Sequence, residues 1–220
     1  MKKMTAKALS VLGLMTGLVT SHYVHASDYQ VTVTNLTRGQ PIGKILAIAH
    51  TNTVSAFQVG SPAIKEVAAI AQDGQTALLK ALAQSAPQVV GGIYEGTSAT
   101  PPGASTTFTL STDGNKTSFT LLAMMVNTND AFIGLPGIQL PTDATPSVQM
   151  LAAMDAGVED NDENCLYIPG PFCNNPGKSS TVAGEGYIYI SPGIHGIGSL
   201  PAAIYDWRNP AARVKIVKLN

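Results

Sequence analysis

The segment DAGVEDNDENC, residues 155–165, carries five carboxylates: Asp155, Glu159, Asp160, Asp162 and Glu163. The whole chain has only 14 acidic residues, so more than a third of them fall in this one stretch. Like charges set so close repel unless a cation, a proton or water offsets them. Three chemistries fit. Calcium takes about six to eight oxygen ligands, and Asp, Glu, Asn and backbone carbonyls all supply them. The spacing is not that of a helix–loop–helix calcium loop, because Gly157 comes too early and no glycine follows Asp162 in the expected place. Alternatively, two of the carboxylates form an acid–base pair of the kind used in glycoside hydrolysis. The third reading is a solvated acidic loop, the usual state of a charge run.

Beyond residue 26 the chain has two histidines, His50 and His195. His195 lies between glycines in SPGIHGIGSLP (191–201), near Ser191 and Ser199. No G-x-S-x-G elbow marks either serine as a nucleophile. GIHGIG also lacks the strand–helix setting of a phosphate loop. Either histidine with a carboxylate would suit a metal-dependent hydrolase, while the plainer role is a hydrogen-bonded residue near a strand end. Asp206-Trp207-Arg208 reads as a binding corner, or as a core lid with the indole packed and Arg208 paired to Asp206.

The elements that must hold these residues are mostly strands. YQVTVTNLT (29–37), STTFTLST (105–112) and ARVKIVKL (212–219) alternate apolar and polar residues, the period of a half-buried strand. KILAIAHT (44–51), VVGGIYEG (89–96), TSFTLLAMMV (117–126), DAFIGLPGIQL (130–140), SVQMLAAM (147–154) and EGYIYISPG (185–193) add further strands. Asp113-Gly114-Asn115 predicts a hairpin turn between 105–112 and 117–126. SPAIKEVAAIAQDGQTALLKALAQSA (61–86) has the helical period instead. Ser61 is expected to cap it, Pro62 to open it and Asp73-Gly74 to break it into two short helices near 62–84. About eight strands with one early helical insertion predict a mainly β protein, an antiparallel β-sandwich.

The chain has 220 residues, 45% hydrophobic and 12% charged, which suits a folded domain rather than a disordered one. A net charge of −1 gives no electrostatic basis for nucleic-acid binding. Residues 1–26 follow the pattern of a secretory signal peptide: Lys2, Lys3 and Lys7, an apolar run from Ala8, then Val24-His25-Ala26 before the cut. That run is too short for a membrane span, so no transmembrane segment is expected after cleavage. The mature chain is expected to be one domain, 27–220, secreted or periplasmic. In such a compartment Cys165 and Cys173 are expected to form a disulfide.

Several segments in order resemble the spondin N-terminal domain family. They are AIAHTNTVSAFQVGSPAIKEVAAIAQDG, NTNDAFIGL, MDAGVE and the ending EGYIYISPGIHGIGSLPAAIYDWRNPAARVKI, the last typical of bacterial members. The resemblance implies an antiparallel β-sandwich that binds one calcium. Transferred by position, it implies Asp130, Asp155 and Glu159 as metal ligands, with Asp160 as a substitute for the third. Glu159 stands where the animal members carry Asp, and a longer carboxylate can still serve calcium. Asp162 and Glu163 are then expected to be mostly solvated loop. The animal members act in cell–matrix adhesion, a role that does not travel with the fold. The expected function is therefore an exported, non-enzymatic calcium-binding module of binding or adhesion type. Its ligand would be extracellular or in the cell envelope, with His195 and Trp207 as a candidate ligand surface. The alternative is a metal-dependent hydrolase using His195 or His50 with a carboxylate.

Overall fold

The computed structural model describes residues 26–174 and 179–220. The expected signal peptide lies, but for its last residue, outside the described residues. Two antiparallel sheets face each other. The smaller contains β1 (Ser27–Asn35), β4 (Ser105–Thr112), β7 (Ser147–Leu151) and β10 (Ala212–Lys218), in the order β4-β1-β10-β7. The larger contains β2 (Leu46–His50), β3 (Val90–Glu95), β5 (Ser118–Met124), β6 (Ala131–Gln139), β8 (Ala153–Asp155) and β9 (Tyr189–Ile190). Its order is β3-β2-β5-β6-β8-β9. The expected mainly β sandwich is the observed fold, with ten strands among the described residues.

Alternation places the smaller sheet. Tyr29, Val31 and Val33 of β1 point inward, as do Phe108 and Leu110 of β4 and Val214 and Ile216 of β10. The intervening threonines face outward, where Thr32 and Thr34 hydrogen-bond Thr107 and Ser105 across the strands at 3.0 and 2.9 Å. β5 has no exposed residue because both of its faces are covered. Phe119, Leu121 and Ala123 join the core between the sheets. Leu122 faces the other way, into a second apolar cluster with Val67, Ile70, Ala71, Leu79 and Ala83. Those side chains come from α1 (Lys65–Asp73) and α2 (Ala77–Gln84), which form a third layer on the larger sheet. A strand buried on both faces reads as a continuous apolar run, as SFTLLAM does.

The first helix starts later than expected, while the second begins at Ala77. Residues 60 and 61 are engaged with Ile188, through Gly60 N–H to the Ile188 carbonyl at 2.7 Å and Ile188 N–H to the Ser61 carbonyl at 2.9 Å. That pairing fixes a turn at 59–61, with Gly60 at φ 85° and Ser61 N–H on the Gln58 carbonyl, and Ile64 is still extended, so α1 begins at Lys65 and no side chain caps it. Its end follows the sequence. Gly74 is left-handed, φ 65°, with Gly74 N–H on the Ile70 carbonyl and Gln75 N–H on that of Ala69. This is the glycine-ended helix stop. A short third helix, α3 (Ala202–Tyr205), precedes β10.

Two connections differ from expectation, and both are crossings between sheets. Asp113-Gly114-Asn115 is no hairpin, because β4 and β5 lie in different sheets. It is a tight turn closed by Lys116 N–H on the Asp113 carbonyl. The run 147–154 also splits. β7 pairs with β10 in one sheet and β8 pairs with β6 in the other, with Ala152 between them. That crossing delivers the acidic stretch to the start of β6.

Cys165 and Cys173 are bonded, and Phe172 in the closed loop packs against Tyr205 with ring centroids 4.8 Å apart. No helix among the described residues is long and apolar enough to cross a membrane. Closing so short a loop removes roughly 2–3 kcal/mol of unfolded-chain entropy. Replacing both cysteines by serine should therefore lower unfolding free energy by about that amount in denaturant titrations. A change under about 0.5 kcal/mol would show that loop closure by this bond does not stabilise the fold.

Candidate functional site

β6 begins one residue after Asp130, and β8 ends at Asp155, which pairs with Ala131. Antiparallel pairing thus sets Asp130 and Asp155 side by side at one end of the larger sheet. Both residues have no solvent exposure, and Glu159 has 1%. The turn after Asp155 closes on these carboxylates. Asp130 Oδ2 accepts the backbone N–H groups of Val158 and Glu159 at 2.8 and 3.1 Å. Asp155 Oδ1 accepts Gly157 N–H at 2.8 Å, and its Oδ2 accepts Asn161 Nδ2 at 3.0 Å. Gly157 is left-handed, φ 65°, and a Cβ there would lie 2.3 Å from the Tyr187 carbonyl oxygen. Only glycine fits that position.

Glu159 reaches toward the helical layer, where its Oε1 accepts Gln72 Nε2 at 2.6 Å. Two carboxylate oxygens are left: Asp130 Oδ1 and Glu159 Oε2 are buried without a hydrogen-bond partner. Among the described residues no Lys, Arg or His forms an ion pair with any of the three acids. Their protonation responds accordingly. Burial first, and then the Asp130 charge beside it, push the Asp155 carboxyl up to about 8. Burial pushes Asp130 up to about 6, with the Glu159 charge adding to it. Burial also raises Glu159. Tyr189 is raised as well, by burial and then by the Asp155 charge. Its hydroxyl donates to Glu185 Oε1 at 2.8 Å and accepts from Asn161 Nδ2 at 3.0 Å.

The donor set suits a hard cation, being all oxygen, with two of its atoms unused. As they lie, no three His, Cys, Asp or Glu side chains among the described residues converge tightly enough to hold a metal ion. Asp130 and Asp155 are already adjacent, and Glu159 would have to turn its free oxygen toward them. Asp160 is exposed, outside this buried group, so it is not a ready substitute ligand.

The rest of the acidic stretch is not the solvated loop expected. Glu163 is 2% exposed and sits at φ 54°. Its Oε2 accepts the N–H groups of Gly196 and Ile197 at 2.7 and 3.0 Å, and its Oε1 accepts that of His195. GIHGIG is thus an anion nest, and the anion is a side chain of the same protein. The signal was present in the glycines, but not the identity of the partner. Asp162 is also engaged, accepting from Asn129 Nδ2 at 3.0 Å and Asn164 N–H at 2.9 Å.

His195 is exposed beside this nest, its Nδ1 3.7 Å from Glu163 Oε1. Trp207 is not part of an exposed ligand surface. It is 7% exposed and packs in the core between the sheets, while Arg208 pairs with Asp206 at 2.9 Å. The lid reading of that corner is the observed one. His50 is buried at the far end of the larger sheet. It pairs with Ser118, the first residue of β5, whereas Met124, the last, pairs with Phe132 beside the carboxylates.

The molecule is a β-sandwich whose larger sheet ends in a buried, uncompensated carboxylate group. The sequence model of the Spondin_N family matches residues 17–163, about two thirds of the chain, and the chain belongs to that family. The matched segment includes Asp130, Asp155 and Glu159. No curated protein matches the chain. Spondin_N membership and the Cys165–Cys173 bond together are consistent with an extracellular domain.

Two outcomes follow. A carboxyl raised in the folded state binds its proton more tightly than in the unfolded chain. Its contribution is full below the unfolded value near 4 and is lost as pH rises through the folded value. In chelator, the melting temperature should therefore fall by several degrees between pH 5 and pH 8, and Asp155→Asn should flatten that slope. A slope unchanged in the variant would place the titration elsewhere. Glu163→Ala leaves three backbone donors facing an empty nest. It should cost roughly 2–4 kcal/mol in unfolding free energy, with Asp160→Ala near zero as control.

Proposed function

We propose that this protein is an exported calcium-binding β-sandwich module of binding or adhesion type, without catalytic activity. The observation that carries the reading is the buried trio Asp130, Asp155 and Glu159, with two unpartnered oxygens and no cationic side chain paired to it. A lone buried carboxylate is costly, and three together are costlier unless they are protonated or matched by a cation. Calcium is the cation this donor chemistry suits, and its tolerance of irregular geometry accommodates Glu159. Asp130, Asp155 and Glu159 would hold it, with Asp160 left at the surface. When bound, the ion would supply positive charge that keeps all three acids ionised. It would also tie the turn at 156–159 to the start of β6.

The setting supports export. The family is extracellular in character, and the Cys165–Cys173 bond suits a secreted or periplasmic location with the leader removed near Ser27. The ligand would be outside the cell or in its envelope. The exposed loop with His195 and Ile197, the latter 71% exposed, would be a surface it could meet. The buried ring of His50 has both nitrogens hydrogen-bonded, to the Thr51 carbonyl and the Thr120 hydroxyl, which favours a structural role for it.

Thermal unfolding in chelator and in calcium tests this directly. Calcium at about a hundred times its dissociation constant should add about 2.7 kcal/mol. For a chain of this size that raises the melting temperature by roughly 5–11 °C. The increment should disappear in Asp130→Asn and Asp155→Asn and persist in Asp160→Asn. Identical melting with and without millimolar calcium would remove the metal from the function.

A further inference from the structure

The helical layer does not cover the whole of the larger sheet. Leu79 and Ala83 of α2 close over Ile48, but the layer ends before His50 and Thr120. The gap is a cavity of about 300 Å³. Its mouth is formed by Val54, Ile64 and Leu82, which are 40%, 42% and 47% exposed. Large apolar side chains half in water around an apolar hollow are a feature of sites that some apolar molecule fills.

The lining restricts what that molecule is. No Lys, Arg, Asp or Glu lines the cavity among the described residues. An ionised group would lose its hydration there and gain no partner. The polar atoms present are already engaged. Ser55 donates to a backbone carbonyl, and the Thr51 carbonyl takes the proton on His50 Nδ1 at 2.7 Å. In the neutral ring, Nε2 then accepts the Thr120 hydroxyl at 2.8 Å. Two acceptors are left over, Ser55 Oγ at the exposed rim and Thr120 Oγ1, which is buried and faces a molecule fully inside the cavity. Size sets the other limit. An apolar cavity of about 150 Å³ holds a benzene, so this one suits a molecule of about two rings.

We propose that this cavity binds a neutral, two-ring-sized apolar molecule whose single hydroxyl donates to Thr120 Oγ1. Entry would be between Val54, Ile64 and Leu82, whose apolar surface the bound molecule covers. The site is at the opposite end of the larger sheet from Asp130 and does not depend on a metal there.

Titration calorimetry of the purified protein with 1-naphthol tests it, with ionised 1-naphthalenesulfonate as the comparator. Saturable 1-naphthol binding is expected, with the sulfonate at least tenfold weaker. Ala86→Phe and Val89→Trp fill the cavity from half-buried positions on its wall. Each should weaken 1-naphthol at least tenfold while melting like the unaltered protein, and if one fails to fold the other decides. The proposal is overturned if 1-naphthol does not saturate below its solubility limit. It is equally overturned if the sulfonate binds as tightly, or if a well-folded filling variant binds undiminished.

Discussion

The Asp130 carboxylate, buried at the head of β6, organises one end of this molecule. One of its oxygens collects two backbone N–H groups and so folds residues 156–159 into a turn over the sheet. Asp155 is brought beside it by ordinary strand pairing with Ala131. The sheet register therefore creates the electrostatic problem, and the turn that follows seals it from water. Hydrogen bonds from amides and from Asn161 and Gln72 offset part of the cost, but none of these donors carries a charge. Neutral donors cannot match the desolvation of three carboxylates, which is why protons are held so tightly there. A proton completes the site as it stands, and the calcium ion of the proposed function would compete for the same oxygens.

The crowding of carboxylates between 155 and 163 now divides by environment. Asp155 and Glu159 turn inward to Asp130. Asp160 faces solvent. Asp162 closes local turns and Glu163 serves as an internal anion for the loop at 195–197. Across nine residues three acids are buried, Asp162 is half-buried and only Asp160 is exposed. The same segment thus fastens two unrelated parts of the fold, the head of β6 and the glycine loop. Gly198 shows how close that second contact is: a Cβ there would lie 2.4 Å from the carbonyl oxygens of both Asp162 and Glu163.

Much of the framework was legible because strands announce their faces. In β1, β4 and β10 the period of two marked the inward residues directly. The glycine that ends α1 was equally plain. What failed to show were features set by distant chain. Ser61 and Pro62 look like a helix start, yet the backbone there pairs with Ile188. Asp113-Gly114-Asn115 looks like a hairpin, yet local turn chemistry does not say whether the strands it joins share a sheet. Within the site, Asp130, Asp155 and Glu159 were reached through the family resemblance. The buried state of Glu163 was reached by neither route. A carboxylate whose partners are backbone N–H groups more than thirty residues away leaves no pattern in residue types. Trp207 was left between two readings for a related reason. A single aromatic beside charged neighbours suits a surface and a core lid equally well, and only the packing of its ring decides.

The family match stops at residue 163, but the sandwich does not. β10, from the region beyond, pairs with β1 on one side and β7 on the other, so it is an inner strand of the smaller sheet. Without it β1 would present an unpaired edge, β7 would have no partner strand, and Val214 and Ile216 would be missing from the core. The segment 164–220 also supplies Tyr189, which pairs with Asp155, and the loop that surrounds Glu163. The buried carboxylates therefore belong to the matched segment, while part of the enclosure that keeps them dry comes from outside it. Changes in that unmatched segment can alter how strongly the carboxylates hold a proton or a cation without altering any of the acids themselves.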